Sequence, residues 1–261
     1  AVAKRLFLDA QTGAAINLTL NGHQLRLVED ITIGANTALT VSNATDSIFI
    51  CKNWYNGGTF NHGNGVVTFC SPNGTHLINP GGTAAGRAFG TLNFNAPDAT
   101  YNMATDISIT GNLNVMDGIM NFYTNNYSIY LNGNWYVADS GSVNYNHTSG
   151  TNVVYLNRAG NQTIRGGTFR RLQTGGSGTK QLLTNVSVTS NLTISSGTIL
   201  DAQTNNLFVG GYWYNNADAA AFTQTGSGEV VFNASAGTQY IDYGSATTTF
   251  NNVTLMNAGA K

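Results

Sequence analysis

The sequence predicts an all-β chain folded as a parallel β-solenoid (β-helix), in which short strands stack turn upon turn. Three observations carry this expectation. The chain is rich in Asn, Thr and Gly and poor in charge, its apolar residues alternate with polar ones, and one set of blocks recurs three times in the same order.

Composition sets the class. Of 261 residues, 35 are Asn, 33 Thr and 31 Gly, while charged residues make up 9% and Pro occurs three times. Hydrophobic residues at 41% and aromatics at 10% are too many for a disordered tract. Thr, Val, Ile, Tyr and Phe suit a pleated surface, and Asn and Gly suit its turns. The net charge of −1 gives no footprint for nucleic acid, because no basic patch is visible beyond Arg170-Arg171. Apolar runs such as Ser47–Cys51 are far too short for a membrane span, so no membrane insertion is expected. Ala1-Val2-Ala3-Lys4-Arg5 is not followed by the apolar run of a cleavable signal, so the chain is read as a mature form or a piece of something longer. Few Lys and Glu, with solubility resting on Asn, Thr, Ser and Gly, fit an extracellular or cell-surface protein.

The repeat is the strongest signal. "CKNWYNGGTF" (Cys51–Phe60), "NGNWYVADSG" (Asn132–Gly141) and "GGYWYNNADA" (Gly210–Ala219) share a Trp-Tyr pair. The pairs Trp54-Tyr55, Trp135-Tyr136 and Trp213-Tyr214 follow one another at nearly equal intervals. Downstream lie "VVTFCSPNGTHLI" (Val66–Ile78), "NVVYLNRAGNQTI" (Asn152–Ile164) and "EVVFNASAGTQYI" (Glu229–Ile241). In these, Phe69, Tyr155 and Phe232 stand seven residues before His76, Gln162 and Gln239. A third block reads "DITIGANTALTV" (Asp30–Val41), "DISITGNLNV" (Asp106–Val115) and "NVSVTSNLTI" (Asn185–Ile194). The resulting organisation is one continuous solenoid: divergent N-terminal rungs over 1–29, then repeats over 30–105, 106–184 and 185–261.

Taken in order, the elements are short strands separated by turns. Ile107, Ile109, Leu113 and Val115, or Val186, Val188, Leu192 and Ile194, alternate with Ser, Thr and Asn, the period of a strand with one buried face. Asn73-Gly74, Gly141-Ser142 and Gly175-Gly176 mark turns. A repeat of roughly 79 residues exceeds one solenoid turn and holds three or four turns of about 20–26 residues. Asn is expected in left-handed turn positions and in side-chain ladders between rungs. Three tandem β-sandwiches are the alternative architecture. "LDAQT" at Leu8–Thr12 recurs at Leu200–Thr204 but in non-equivalent places, which suggests a smaller period inside the larger one. "TGGSGTK" (Thr174–Lys180) and "MNAGAK" (Met256–Lys261) each close a repeat, and the parent chain is expected to continue.

Little here resembles catalytic machinery. Of the 12 acidic residues only Glu29-Asp30 are adjacent, and Asp98, Asp139 and Asp218 sit in turn-like places. His23, His62, His76 and His147 lack metal-ligand spacing. No catalytic residue, metal or cofactor is therefore assigned. Each Trp-Tyr pair sends one ring inward and one outward. Either the Trp fills the core, or outward rings form a platform for sugars, with Trp54, Tyr55, Trp135, Tyr136, Trp213 and Tyr214 as candidates. "TFRRL" (Thr168–Leu172) reads as a solvated pair of arginines. The interval from Cys51 to Cys70 is close to one short rung. Stacked rungs bring such Cα atoms to about 5 Å, so the pair is either a disulfide or two free thiols. Ten Asn-x-Ser/Thr sequons, among them Asn17, Asn43, Asn73, Asn126, Asn146 and Asn161, are mostly what this much Asn and Thr yields by chance.

The blocks "GNLNV", "SNLTISSGTIL", "GNWY", "VVF…GTQYI" and "TFNNVTL" resemble repeats of very large secreted proteins of Bacteroidetes. Those proteins look like adhesins and surface-filament components, often exported by the type IX route. The resemblance spans most of 30–261 and implies an extracellular stalk or adhesin. It also implies O-glycosylation at Asp-Ser/Thr-apolar motifs, of which Asp46-Ser47-Ile48 is similar, making Ser47 a candidate. The expected partners are further copies of the repeat, surface glycans or neighbouring subunits. A structural and adhesive segment is thus the leading expectation, ahead of a carbohydrate-binding module and of a polysaccharide-degrading β-helix.

Overall fold

The computed structural model describes residues 2–10, 15–145, 149–241 and 244–256. Gln11 and Thr12 of the first "LDAQT", Asn146, His147 and all of "MNAGAK" after Met256 lie outside the described residues. Within them the chain is all-β without a helix, and the strand pairings are parallel. Parallel ladders between strands one turn apart make this a β-solenoid. They overturn the β-sandwich alternative, whose sheets would be antiparallel.

The chain divides into two compact units, Ala1–Gly133 with Val137–Asn144, and Asn134–Tyr136 with Tyr145–Lys261, a division inside the second sequence repeat. In the first unit Gln24, Ser47, Val66 and Thr91 lie side by side in register, so each marks the start of a new turn and the turns differ in length. The turn from Ser47 to Val66 is the shortest of the three, and the turn from Val66 to Thr91 the longest. Each turn contributes a strand to three rows. One turn supplies Ser47–Ile50, Trp54–Asn56 and Thr59–Asn61. In the second unit Gln162–Arg165, Thr168–Phe169 and Arg171–Thr174 belong to three rows of the same kind.

Alternation decides what is inside. Leu27, Ile50, Phe69, Phe94 and Val115 stand in one column and are fully buried. Burying each such side chain contributes about 1.5–3 kcal/mol. Between them the outward residues stack like on like: Asn114 Nδ2 donates to Asn93 Oδ1 at 2.8 Å, and Asn121 Nδ2 to Asn102 Oδ1 at 2.6 Å. These are the expected amide ladders. The expected left-handed asparagines occur at Asn21, Asn36 and Asn64.

One corner of the first unit requires glycine. A Cβ on Gly90 would lie 2.4 Å from Gly65 O, and one on Gly133 would lie 2.0 Å from Gly111 O. The bends in successive turns pack backbone on backbone there, with no room for a side chain.

The repeat length is not a whole number of turns. In the second unit Trp135 pairs with Ile164, Ile164 with Leu182, and Gln181 with Asp201. From there two further strands, Leu207–Val209 and then Trp213–Asn216, bring the chain to the next Trp. One repeat is therefore three turns plus two strands, and Trp213 stands in a different row from Trp135. The same reasoning accounts for "LDAQT". Leu8 ends the strand Leu6–Leu8 and Leu200 is next to last in Thr198–Asp201, each with the side chain inward, in rows with Ile33 and with Lys180 respectively. In the second copy Asp201 Oδ1 then accepts from Gln203 N at 3.1 Å, and Gln203 takes φ 54°. In the second copy the motif is a strand end with its turn.

Candidate functional site

The Trp-Tyr pairs resolve by burial. Trp54, Trp135 and Trp213 are enclosed. Trp54 packs edge-on against Phe60 at 4.9 Å and lies 5.0 Å from Phe89, its Nε1 without an acceptor. Trp135 Nε1 donates to Gly166 O at 3.1 Å, and Trp213 Nε1 to Thr248 Oγ1 at 3.0 Å. Rings held this way present nothing to a ligand, so the three tryptophans leave the set of surface aromatics. Tyr55, Tyr136 and Tyr214 are half-buried on the outside. The Arg165 guanidinium lies over the Tyr136 ring, with Cζ 5.2 Å from the ring centroid. Tyr214 stands 6.0 Å from Tyr212, which contacts the exposed Tyr240 at 5.0 Å.

Register extends Tyr214 into a row. Tyr155 lies beside Gln173, Gln173 beside Thr193, and Thr193 beside Tyr214, all in parallel strands of the second unit. With strands about 4.8 Å apart, the two rings stand roughly 14 Å apart across two hydrogen-bonding side chains. A shallow groove of about 210 Å³ lies along this row, lined by Val153, Tyr155, Arg171, Leu172, Gln173, Asn191 and Thr193. Asn191 Oδ1 braces the next turn by accepting from Tyr212 N at 3.0 Å, and Gln173 Nε2 donates to Ser195 Oγ at 3.3 Å.

The two arginines are not the solvated pair the sequence suggested. Arg170 Nε donates to Gly150 O at 2.8 Å, and its charge is disfavoured first by burial and then by the neighbouring Arg171. Arg171 lines the groove, and its Nε is enclosed without an acceptor. No carboxylate lines that groove, and the ion pair among the described residues joins Arg5 to Glu29 elsewhere. The groove thus holds an unneutralised cation between tyrosines and amides.

In the first unit a second cluster gathers at one corner. Phe69 pairs with Ile50, so Cys70 follows directly over Cys51; Cys70 N continues the ladder to Ile50 O at 2.9 Å. Both cysteines are half-buried, with no bond between them in the structure. Burial, and then the Cys51 thiol, push the Cys70 thiol up to about 12. Beside them Ser71 N donates to Tyr101 Oη at 3.0 Å, and burial raises the Tyr101 phenol. His76 Nε2 lies 2.8 Å from Ser71 Oγ, but Ser71 Oγ itself donates to Asn73 O at 2.7 Å. With Nε2 protonated, donors and acceptors match and the serine keeps its proton, so this contact braces a turn. The equivalent Gln239 does similar work: its Nε2 donates to Val209 O and Gly211 O, both at 2.7 Å.

Ser47 opens the strand Ser47–Ile50, half-buried, with its Oγ 3.4 Å from Gln24 Nε2. Asp46 beside it is buried, and its Oδ2 accepts from Ser42 N at 2.6 Å. The Asp-Ser-Ile motif is therefore a turn closing into a strand. The Glu29-Asp30 pair diverges: Glu29 holds Arg5 at 2.9 Å and Asp30 accepts from Asn53 Nδ2 at 2.8 Å. Sequence reasoning missed Lys180, which is fully buried and donates to the carbonyls of Arg158, Gly160 and Ser177 at 2.8–3.0 Å. Compared with protein-family models, with curated proteins and with solved structures, the chain matches none.

Proposed function

We propose that this chain is a structural and adhesive segment of a long repetitive extracellular protein, displayed at the cell surface. The observation that carries the reading is the row-by-row repetition of the outward side chains. Amides, hydroxyls and tyrosines recur at strand spacing on rigid parallel ladders, as in Asn93–Asn114 and in Tyr155–Gln173–Thr193–Tyr214. Such surfaces suit multivalent contact, because weak sites repeated on a stiff support act together. Further copies of the repeat are the natural neighbours. The strand Val253–Leu255 pairs with Val230–Phe232 and leaves Val253 and Leu255 about half exposed, and an exposed strand edge of this kind favours association with another strand.

Deleting the repeats from the parent gene tests this. The reading expects antibodies against this chain to label intact source cells, and expects the deletion to reduce their attachment to surfaces or to one another. Labelling only after lysis, or attachment unchanged by the deletion, would overturn it.

A further inference from the structure

We infer that the Tyr155–Tyr214 face of the second unit binds an acidic oligosaccharide, with Arg171 receiving a uronate carboxylate. The inference deepens the adhesive reading by naming a ligand class for one face. Four observations on that face converge. Tyr155 and Tyr214 bound a row of strands, and each offers the flat apolar ring with a polar edge that stacks on a sugar. Gln173, Asn191 and Thr193 lie between them, amides and a hydroxyl able to meet sugar hydroxyls. Arg171 lines the same groove and is the one charged side chain in its lining. The lining contains no carboxylate to neutralise it.

The chemistry favours a carboxylate over a neutral hydroxyl. A guanidinium is planar and always charged, and it meets a carboxylate with two parallel hydrogen bonds. Arg170 cannot take this role, since its guanidinium is engaged with Gly150 O and lies near Thr189 O. A generic attraction to polyanions is not expected, because the chain carries a net charge of −1. Any preference for an acidic glycan must therefore be local.

Affinity electrophoresis of the full 261-residue chain in native gels tests this. Polygalacturonate cast in the gel should retard the chain, and dextran at the same concentration should not. Arg171→Gln should weaken the retardation at least tenfold in apparent affinity, Arg171→Lys should weaken it less, and Arg165→Gln, on another row, should leave it unchanged. Tyr214→Ala, which keeps the charge, should also weaken it. Circular dichroism of each variant separates loss of binding from loss of fold. Equal retardation by dextran, no retardation by polygalacturonate, or an Arg171→Gln variant that folds and binds as before would overturn the inference. Because the assay uses the isolated chain, its failure leaves the cell-surface reading to be judged by labelling of intact cells.

Discussion

Cys70 stands one turn over Cys51, carried there by the strands Ser47–Ile50 and Val66–Phe69, whose register runs unbroken from Ser47–Val66 to Ile50–Phe69. In an oxidising compartment the two thiols should close a disulfide between adjacent turns, losing two protons and two electrons to a disulfide oxidant such as oxidised glutathione. Because the Cys70 thiol is held up at about 12, closure should be slow at neutral pH. Closing a loop of about this length stabilises by roughly 3 kcal/mol in the chain-entropy account. Non-reducing peptide mapping should find one cross-linked peptide pair, and reduction should lower the urea midpoint. Material oxidised by glutathione that still alkylates at both cysteines would contradict this.

The Trp-Tyr pairs should separate sharply under mutation. Trp213 is enclosed by Phe222, Phe232 and Phe250 and holds Thr248, so Trp213→Ala should cost about 3–5 kcal/mol. Tyr214→Ala removes a half-buried outward ring and should cost under about 1 kcal/mol. Urea unfolding of both variants reads the contrast, and similar losses would contradict the inward-outward assignment.

Adjacent glycines give an equally direct comparison. A Cβ on Gly58 would meet Gly34 O at 2.2 Å and Thr37 O at 2.5 Å, whereas one on Gly57 makes ordinary contact with Ile33 O at 3.5 Å. Gly58→Ala should destabilise by about 1–3 kcal/mol or more through overpacking, and Gly57→Ala by less than about 1 kcal/mol. Thermal midpoints of the two variants decide the order.

Lys180 makes stability depend on pH in an unusual direction. Burial first, and then Arg158, bring its pKa down from 10.5 to about 8, so the folded chain releases this proton before the unfolded chain does. Below pH 8 both states are protonated and the burial penalty is complete. Between about pH 8 and 10.5 the unfolded state binds more protons, so the Lys180 contribution to stability rises with pH, by roughly 1–3 kcal/mol in all. Cys70 and Tyr101, whose pKa values are raised, act oppositely as pH increases. The comparison is therefore with Lys180→Met, which keeps those groups. The difference in unfolding free energy between the two proteins should shift with pH over this window in favour of the native chain, and a constant difference would contradict the burial.

Much of the architecture was legible because alternation and block order are local. Ile107–Ile109 and Val186–Val188 read as half-buried strands, and the interval from Cys51 to Cys70 read as one turn. Turn length varies, since the step from Ser47 to Val66 is markedly shorter than the step from Val66 to Thr91, and this blurs any short period in the sequence. That variation also hid the fact that the repeat advances by three turns plus two strands, moving each Trp to another row. The face around Arg171 was not legible for a related reason. It joins Tyr155 to Tyr214 across four strands whose alignment depends on turn lengths. Lys180, inside "SGTKQLL", reads as part of a polar turn until its register with Leu200 reveals that it points inward.

The most direct test of the account is the intact mass of the parent protein from its native source, combined with peptide sequencing of what protease releases from whole cells. The account predicts a mass many times 27.6 kDa, with peptides of this chain among the released fragments and further Trp-Tyr blocks beyond Lys261. A parent ending at Lys261, or peptides recovered only after lysis, would contradict it.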